Sequence, residues 1–138
     1  LGGVDIPSEL GLAGHSDADV LVHAVMDAIL GALGKGDIGQ WFPDSDSRYE
    51  GASSIGLMRD MWDTLRVSAQ IVNIDSVVIA ETPRIMPHAP EIRKNIAVAL
   101  GCRPEQVSVK ATTAERLGAL GRGEGVAAYS VATLLKNT

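Results

Sequence analysis

Apolar positions dominate the chain from about residue 17 to Leu33 and cover nearly the whole circumference of a helix. A helix that is apolar all round is normally buried. Ser16, followed three positions later by Asp19, gives this helix a capping box at its start. The glycines expected to end it are Gly31, Gly34, Gly36 and Gly39. The pattern therefore predicts a buried first helix over residues 17–33.

Hydrophobic periodicity predicts two more helices and three strands after a long polar segment over residues 37–51. One predicted helix covers residues 53–67 and has an apolar face of Ile55, Met58, Trp62 and Leu65. The other covers residues 90–100, with Gly101 as its C-terminal cap, and the side chains expected to face inward are Ile92, Ile96 and Leu100. The predicted strands are 70–80, 106–112 and 126–135, and a strand remnant with a loop is expected between residues 2 and 14. Strand 70–80 is apolar in both alternating sets, which is typical of a central strand. Helices interleaved with strands indicate an α/β or α+β layer fold.

Composition and length limit the kinds of protein and binding partner that the sequence allows. The chain is 46% hydrophobic and 21% charged and has a net charge of −5 at pH 7, so we expect neither a nucleic-acid nor a membrane partner. Its 138 residues correspond to one domain. Cys102 is the one cysteine, which excludes an internal disulfide, and it is expected to be structural rather than reactive. No apolar run reaches the roughly 18 residues of a membrane span.

A polar stripe interrupts the first helix. Asp19, His23 and Asp27 are spaced by four and share one face. Buried ionisable groups are costly unless they are paired, hydrogen-bonded or bound to metal. Two interpretations are open: Asp27 neutralises His23, or one ring nitrogen of His23 binds zinc while Asp27 orients the other. The remaining histidines, His15 and His88, lie beside predicted loops.

Two further polar clusters each have a structural and a functional interpretation. His15 and Ser16 lie at a helix start, which can hold phosphate or can simply be capped. Residues 110–115 place a lysine, two threonine hydroxyls and a glutamate where a strand ends. Hydroxyls suit phosphate and a carboxylate suits Mg²⁺, although a chance polar strand end has the same composition.

The glycine-rich stretch 117–125 and the acidic residues of the polar segment are weaker candidates. Glycines allow close backbone approach, but this stretch is neither a dinucleotide-binding fingerprint nor a P-loop. An arginine two residues before a glutamate, as at 122 and 124, is usually a structural ion pair. Acidic loop residues such as Asp37, Asp44 and Asp46 are mostly solvated.

Taken together, these blocks closely resemble one family, the 2-C-methyl-D-erythritol 2,4-cyclodiphosphate synthases of non-mevalonate isoprenoid biosynthesis. The matching blocks run through the chain in family order and at family spacing. They are GHSDADV at 14–20, with His23 and Asp27 after it, GDIG at 36–39, FPDSD at 42–46, PRIMPH at 83–88, KATT at 110–113, with Glu115 after it, and GRGEG at 121–125.

The resemblance implies a fold, a reaction and a set of partners. The fold is a two-layer α/β (α+β) sandwich with a mixed four-stranded sheet packed on helices, the sheets facing the axis of a homotrimer with active sites between subunits. The activity is that of a phosphorus–oxygen lyase. The 2-phosphate of 4-diphosphocytidyl-2-C-methyl-D-erythritol 2-phosphate attacks the β-phosphorus and CMP leaves, with zinc and Mg²⁺ or Mn²⁺ as cofactors. The implied location is the cytoplasm, or the plastid of a plant or alga.

The resemblance also implies roles for individual residues. His23 is a zinc ligand with Asp27 behind it, Glu115 meets Mg²⁺ or Mn²⁺, and Lys110 and Thr113 take part in catalysis. The implied substrate-binding residues are His15, Ser16, Asp37, Gly39, Asp44, Ala80, Pro83, Arg84, Ile85, Met86, Thr112, Thr113 and Arg122. Arg122 and Glu124 match positions beside an axial cavity that accepts isoprenoid diphosphates.

The chain departs from the family pattern at several positions. The other two zinc ligands of the family, in an Asp-x-His motif, match positions upstream of Leu1, so we expect residues 1–138 to be a single domain without its N-terminal strand or a piece of a longer polypeptide. Arg84 stands where lysine is common, and Ala119 is expected to enlarge the axial cavity. Two rival hypotheses are a trimer that binds cytidine nucleotides or isoprenoid diphosphates without turnover, and a structural trimer whose polar stripe is a salt-bridge network.

Overall fold

The computed structural model describes residues 1–7 and 18–137. Within these ranges the chain forms five α-helices and three β-strands, joined in part by 3₁₀ turns. In chain order they are α1 (Val20–Leu33), α2 (Ile38–Trp41), α3 (Ser54–Leu65), β1 (Ala69–Ile79), α4 (Ala89–Leu100), β2 (Val107–Thr112), α5 (Gly118–Gly121) and β3 (Ala127–Lys136). The 3₁₀ turns cover Ser47–Tyr49, Met86–His88 and Pro104–Gln106.

The three strands form one mixed sheet in the order β2-β1-β3. β1 is central, as predicted, and runs parallel to β2 and antiparallel to β3. Ile74 is level with Val107 on one side and with Ala132 on the other. A parallel pair needs a long crossover connection, and α4 supplies it between β1 and β2. The carboxyl ends of β1 and β2 therefore lie side by side at one edge of the sheet.

The longer helices cover one face of this sheet. α1 packs on β3, α4 packs on β2, and α3 packs against both helices. The side chains that α1 buries recur at three and four residues, as a core-facing helix requires. They are Leu21, Val22, Val25, Met26, Ile29 and Leu30. The predicted faces of α3 and α4 are also buried, except that Ile55 is only half-buried.

Two details of the first helix differ from the prediction. It begins at Val20 rather than near residue 17, because Ala18 has φ +58° and lies outside helical space, and Asp19 rather than Ser16 provides the N-cap through Val22 N–H. Gly31 lies inside the helix and does not end it. Gly34 ends it in the left-handed conformation at φ +64°, where glycine has no steric penalty.

The number of strands also differs from the prediction. The expected sheet had four, whereas residues 1–7 and 18–137 contain three. Residues 1–7 form a turn with positive φ at Gly2 and Gly3 instead of a strand remnant, and residues 8–14 lie outside the described ranges. The mixed sheet backed by helices is confirmed. In the described part of the chain, no helix combines the length and apolar character that a membrane crossing requires.

The opposite face of the sheet is accessible among the described residues. It exposes 66% of Tyr129 and 68% of Val131 on β3, and Leu135 extends the apolar surface toward the end of the same strand. Lys110 of β2 pairs with Asp75 of β1 on this face, with 3.0 Å between Nζ and Oδ2. The sheet thus combines one buried face with one accessible, partly apolar face.

Candidate active site

A cavity of about 570 Å³ opens where β1 and β2 end. Ligands of open sheets with parallel strands bind at this carboxyl edge. Two chain segments line the cavity, one following β1 and one at the end of β2. The lining residues are Ala80, Glu81, Pro83, Arg84, Ile85, Met86, Pro87, Ala111, Thr112 and Thr113.

The segment after β1 is anchored at both of its ends. Ala80 N–H donates to Thr112 C=O at 3.0 Å, which extends the β1–β2 ladder by one bond. Ile85 is buried in the core, and its carbonyl accepts from His88 N–H at 2.8 Å to form a single turn. Between these anchors the chain faces the cavity with Pro83 and with the exposed Arg84. This part of the cavity wall is therefore fixed by backbone contacts and is largely apolar.

The segment after β2 turns sharply around Glu115. Glu115 has φ +53° and Arg116 has φ +62°, and each left-handed residue other than glycine costs about 1 kcal/mol. Glu115 N–H donates to Thr113 Oγ1 at 3.2 Å. Ala114 N–H and Arg116 N–H donate to the two carboxylate oxygens of Glu81, at 2.9 and 3.1 Å. The turn, defined here as residues 113–116, is thus held by a side chain from the other segment.

Lys110 lies apart from the cavity lining. Its ammonium forms the ion pair with Asp75 on the accessible face of the sheet, and the side chain is 59% exposed. Lys110 and Thr112 alternate with the inward-facing Val109 and Ala111 along β2. The single chain therefore brings Thr112 and Thr113 into the cavity wall but leaves Lys110 outside it.

The three residues of the polar stripe on α1 each hydrogen-bond to a different part of the chain. The carboxylate of Asp19 accepts from Val22 N–H at 3.1 Å and from Gly3 N–H at 2.9 Å, which joins the helix start to the N-terminal turn. His23 Nε2 is hydrogen-bonded at 2.9 Å to Ser54 Oγ, a fully buried hydroxyl at the start of α3. Asp27 accepts from Ile38 N–H at 2.9 Å. Both interpretations of His23, a pair with Asp27 and a zinc ligand oriented by Asp27, stay predictions.

The polar segment after α1 is more ordered than predicted, because it contains α2 and a 3₁₀ turn. Asp37 caps α2 through Gln40 N–H at 3.0 Å, and Gly39 lies inside this helix. Asp46 binds the Arg48 guanidinium at 2.6 and 3.0 Å, and this hydrogen-bonded carboxylate raises the pKa of Arg48. Asp44 is exposed.

The remaining predicted site residues lie elsewhere or outside the described ranges. Arg122 and Glu124 form an exposed ion pair at 3.0 Å. None of Asp37, Gly39, Asp44 and Arg122 lines the cavity at the strand ends. His15 and Ser16 lie outside the described residues.

Comparison with known proteins decides the family. The model of the YgbB family matches residues 1–135. The chain belongs to the YgbB family. A relative from Pelotomaculum thermopropionicum, named 2-C-methyl-D-erythritol 2,4-cyclodiphosphate synthase, is 58% identical over 137 residues, which cover 99% of this chain and 85% of the relative. The predicted resemblance is therefore confirmed, and with it the assignment to a family of enzymes named as synthases of this cyclic diphosphate.

Solved structures of YgbB relatives have the same fold. The bifunctional IspDF from Campylobacter jejuni superposes with a TM-score of 0.93 at 41% identity, covering 99% of this chain and 37% of that one. IspF from Plasmodium falciparum, solved as a CDP complex, superposes with a TM-score of 0.80 at 33% identity, covering 91% of this chain and 76% of that one. The second relative binds a cytidine diphosphate, which is the ligand class that the sequence of this YgbB member predicts.

YgbB enzymes depend on divalent metal, and the described residues meet this requirement only in part. No group of three His, Cys, Asp or Glu side chains suited to a metal ion occurs within residues 1–7 and 18–137. These ranges therefore do not build a complete zinc site around His23. Glu115 fits Mg²⁺ or Mn²⁺ better, because such ions commonly take one or two carboxylates plus phosphate oxygens, and its exposed side chain follows the two threonines of the cavity.

Three cavity-lining residues, Glu81, Pro87 and Ala111, were not among the predicted site residues, and Glu81 is the one with a charged side chain. Its partners are backbone N–H groups 33 and 35 positions further along the chain, and backbone groups leave no signature in a sequence. Its position directly after the central strand, opposite the polar end of the neighbouring strand, was the available signal. Conversely, the segments predicted to form the nucleotide pocket of a YgbB enzyme do meet, at Ala80, Pro83, Arg84, Ile85, Met86, Thr112 and Thr113.

Proposed function

We propose that this chain catalyses the cyclisation for which its YgbB relatives are named. In this reaction an oxygen of the 2-phosphate attacks the β-phosphorus of 4-diphosphocytidyl-2-C-methyl-D-erythritol 2-phosphate. The bond from the β-phosphorus to the oxygen bridging it to the α-phosphorus breaks, and CMP leaves with that oxygen. The observation that carries the proposal is the single cavity lined by the segments after β1 and β2.

The cavity suits a nucleotide in size and chemistry. Small-molecule pockets commonly measure about 300–1,000 Å³ and combine apolar walls with a few polar groups. Ala80, Ile85 and Met86 give this cavity apolar walls for a cytosine ring. Arg84 supplies the positive charge at the cavity rim.

The phosphates belong at the other side of the cavity, beside the turn 113–116. The hydroxyls of Thr112 and Thr113 can donate to phosphate oxygens, and Glu115 would hold Mg²⁺ or Mn²⁺ there. The metal, when bound, neutralises charge on the diphosphate. Because the attack is intramolecular and needs no protein nucleophile, the chain contributes by holding the substrate folded with its phosphates in line. Lys110 would reach the phosphates either in the site of a neighbouring subunit or after its side chain leaves Asp75 for another rotamer.

Zinc and the trimer are further parts of the proposal. His23 supplies one zinc ligand, with Ser54 fixing its ring and Asp27 holding the neighbouring loop through Ile38 N–H.

The accessible sheet face with Tyr129 and Val131 supports a homotrimer whose sheets face the axis. His15, Ser16, Asp37, Gly39 and Asp44 would complete the site between subunits. Arg122 would lie near the axis and an isoprenoid diphosphate. A location in the cytoplasm or plastid stays a prediction.

The test separates catalysis from binding. Glu115→Gln keeps the side-chain size but removes the metal-binding charge, so we expect kcat to fall about a hundredfold while CMP binding by calorimetry changes less than about threefold. Glu105→Gln, on the exposed 3₁₀ turn before β2, is the matched control and should retain full turnover. CMP binding by the unaltered protein without turnover would instead identify a nucleotide-binding module. Absence of CMP binding would contradict both hypotheses.

A further inference from the structure

We propose that Glu81 and Gly121 together hold the turn 113–116 in shape, so that Glu81 is a positioning residue for the carboxylate of Glu115. The inference rests on the proposed function for the role of Glu115, but its structural part stands on contacts between described residues. The proposed function gives the turn the task of holding the Glu115 carboxylate.

Glu81 uses both carboxylate oxygens on the turn. Oε2 accepts from Ala114 N–H and Oε1 accepts from Arg116 N–H, so the two bonds flank Glu115 on either side. A carboxylate can accept at both oxygens, whereas an amide accepts only at one. Glutamine at this position would therefore leave one of the two N–H groups facing an NH₂ group. The geometry requires a carboxylate and not merely a polar side chain of this length.

Gly121 lies directly against the backbone of the turn. A Cβ added to Gly121 would lie 2.7 Å from Arg116 Cα and would also overlap the Arg116 carbonyl group. Gly121 N–H donates at 3.0 Å to the C=O of Leu117, the N-cap residue of α5. Only a residue without a side chain allows α5 to lie this close to the backbone of the turn.

The turn needs such support because its own sequence does not favour it. Glu115 and Arg116 both occupy left-handed space, which L-residues with side chains rarely adopt. Consecutive residues in this region persist when surrounding contacts fix them. A relaxed turn would move the Glu115 carboxylate away from Thr112 and Thr113, while the segment after β1 would keep its own anchors at Ala80 and Ile85.

The experiment compares amide exchange, metal binding and nucleotide binding. In metal-free protein, NMR exchange at Ala114 and Arg116 N–H should accelerate at least about tenfold in Glu81→Gln, with amides of β1 and β2 unchanged. Mn²⁺ affinity in the presence of CDP, measured by electron paramagnetic resonance, should fall about tenfold or more. CMP affinity without metal should change less than about threefold, since the anchors after β1 are intact. The kinetic counterpart is a lower kcat with little change in KM.

Matched variants make the result decisive. Gly121→Ala should reproduce the exchange and Mn²⁺ effects, while Gly125→Ala should not, because its Cβ would meet only Leu120 at an ordinary 3.9 Å. Glu105→Gln controls for removal of one negative charge. Unchanged exchange at Ala114 and Arg116 in Glu81→Gln would overturn the proposal, as would a loss of CMP affinity as large as the loss for Mn²⁺. The exchange measurement requires no turnover, so failure of the proposed function would be recognised separately.

Discussion

The carboxylates of Asp19, Asp27, Asp37 and Glu81 all accept hydrogen bonds from backbone N–H groups. Hydrogen bonds to an ionised acceptor are stronger than neutral ones. Each of these residues fixes a loop or a helix start next to the elements that carry the site. Asp19 and Asp37 act locally, on an N–H group three residues further along the chain, whereas Glu81 acts on groups 33 and 35 residues away. A sequence motif can therefore reveal the first kind of contact but not the second.

Cys102 illustrates how burial controls the chemistry of a single residue. It is half-buried after α4, and desolvation raises the pKa of its thiol. Because the reactive form is the thiolate, we expect alkylation by iodoacetamide at pH 8 to be at least about threefold slower than for an exposed cysteine. The rate should continue to rise at pH values where that of an exposed thiol has levelled off. A rate equal to that of a cysteine peptide would contradict the structural assignment.

The elements with strong periodicity were predictable from sequence. α3, α4 and the three strands lie within about two residues of their predicted bounds, because buried and exposed positions repeat regularly along them. The start of α1 was not predictable, since the positive φ of Ala18 is a backbone property that alanine does not favour. α2 is a single turn inside a polar segment, too short for a periodic signal.

Helix α4 allows a direct test of the packing on which the fold depends. Ile96 is fully buried, whereas Val98, two residues later, is 66% exposed. We expect Ile96→Ala to lower the free energy of unfolding by about 2–5 kcal/mol, from lost burial and the cavity left behind. Val98→Ala should change it by less than about 0.5 kcal/mol. Urea unfolding followed by circular dichroism measures both, and equal effects would refute the assignment of the inward face.

At the scale of the molecule, the accessible sheet face is the surface on which the oligomeric state of the chain depends. Tyr129, Val131 and Leu135 form an apolar surface that a single chain leaves in water. Such surfaces commonly mark contacts between proteins. The candidate site residues that lie away from the cavity, including Lys110 on this same face, are consistent with sites completed by neighbouring subunits.

Val131 provides the test of assembly. A charge at the centre of an apolar contact is costly to bury, so Val131→Asp should convert the proposed trimer to monomer in sedimentation velocity experiments. Val67→Asp adds the same charge at another exposed valine, outside the sheet, and should leave the sedimentation coefficient unchanged. A monomeric unaltered protein would contradict the proposed trimer, and a trimeric Val131→Asp would exclude this face from the interface.

The hydrogen bond from Ala80 to Thr112 has a consequence for how the site can vary. It joins the segments after β1 and β2 at the point where each leaves the sheet. The alignment of the two strands therefore sets the distance between the proposed cytosine pocket and the proposed metal ligand Glu115. A slip of one residue between β1 and β2 would shift one loop along the other by about 3.3 Å and would turn every inward side chain outward. Insertions within either strand should therefore be eliminated during evolution.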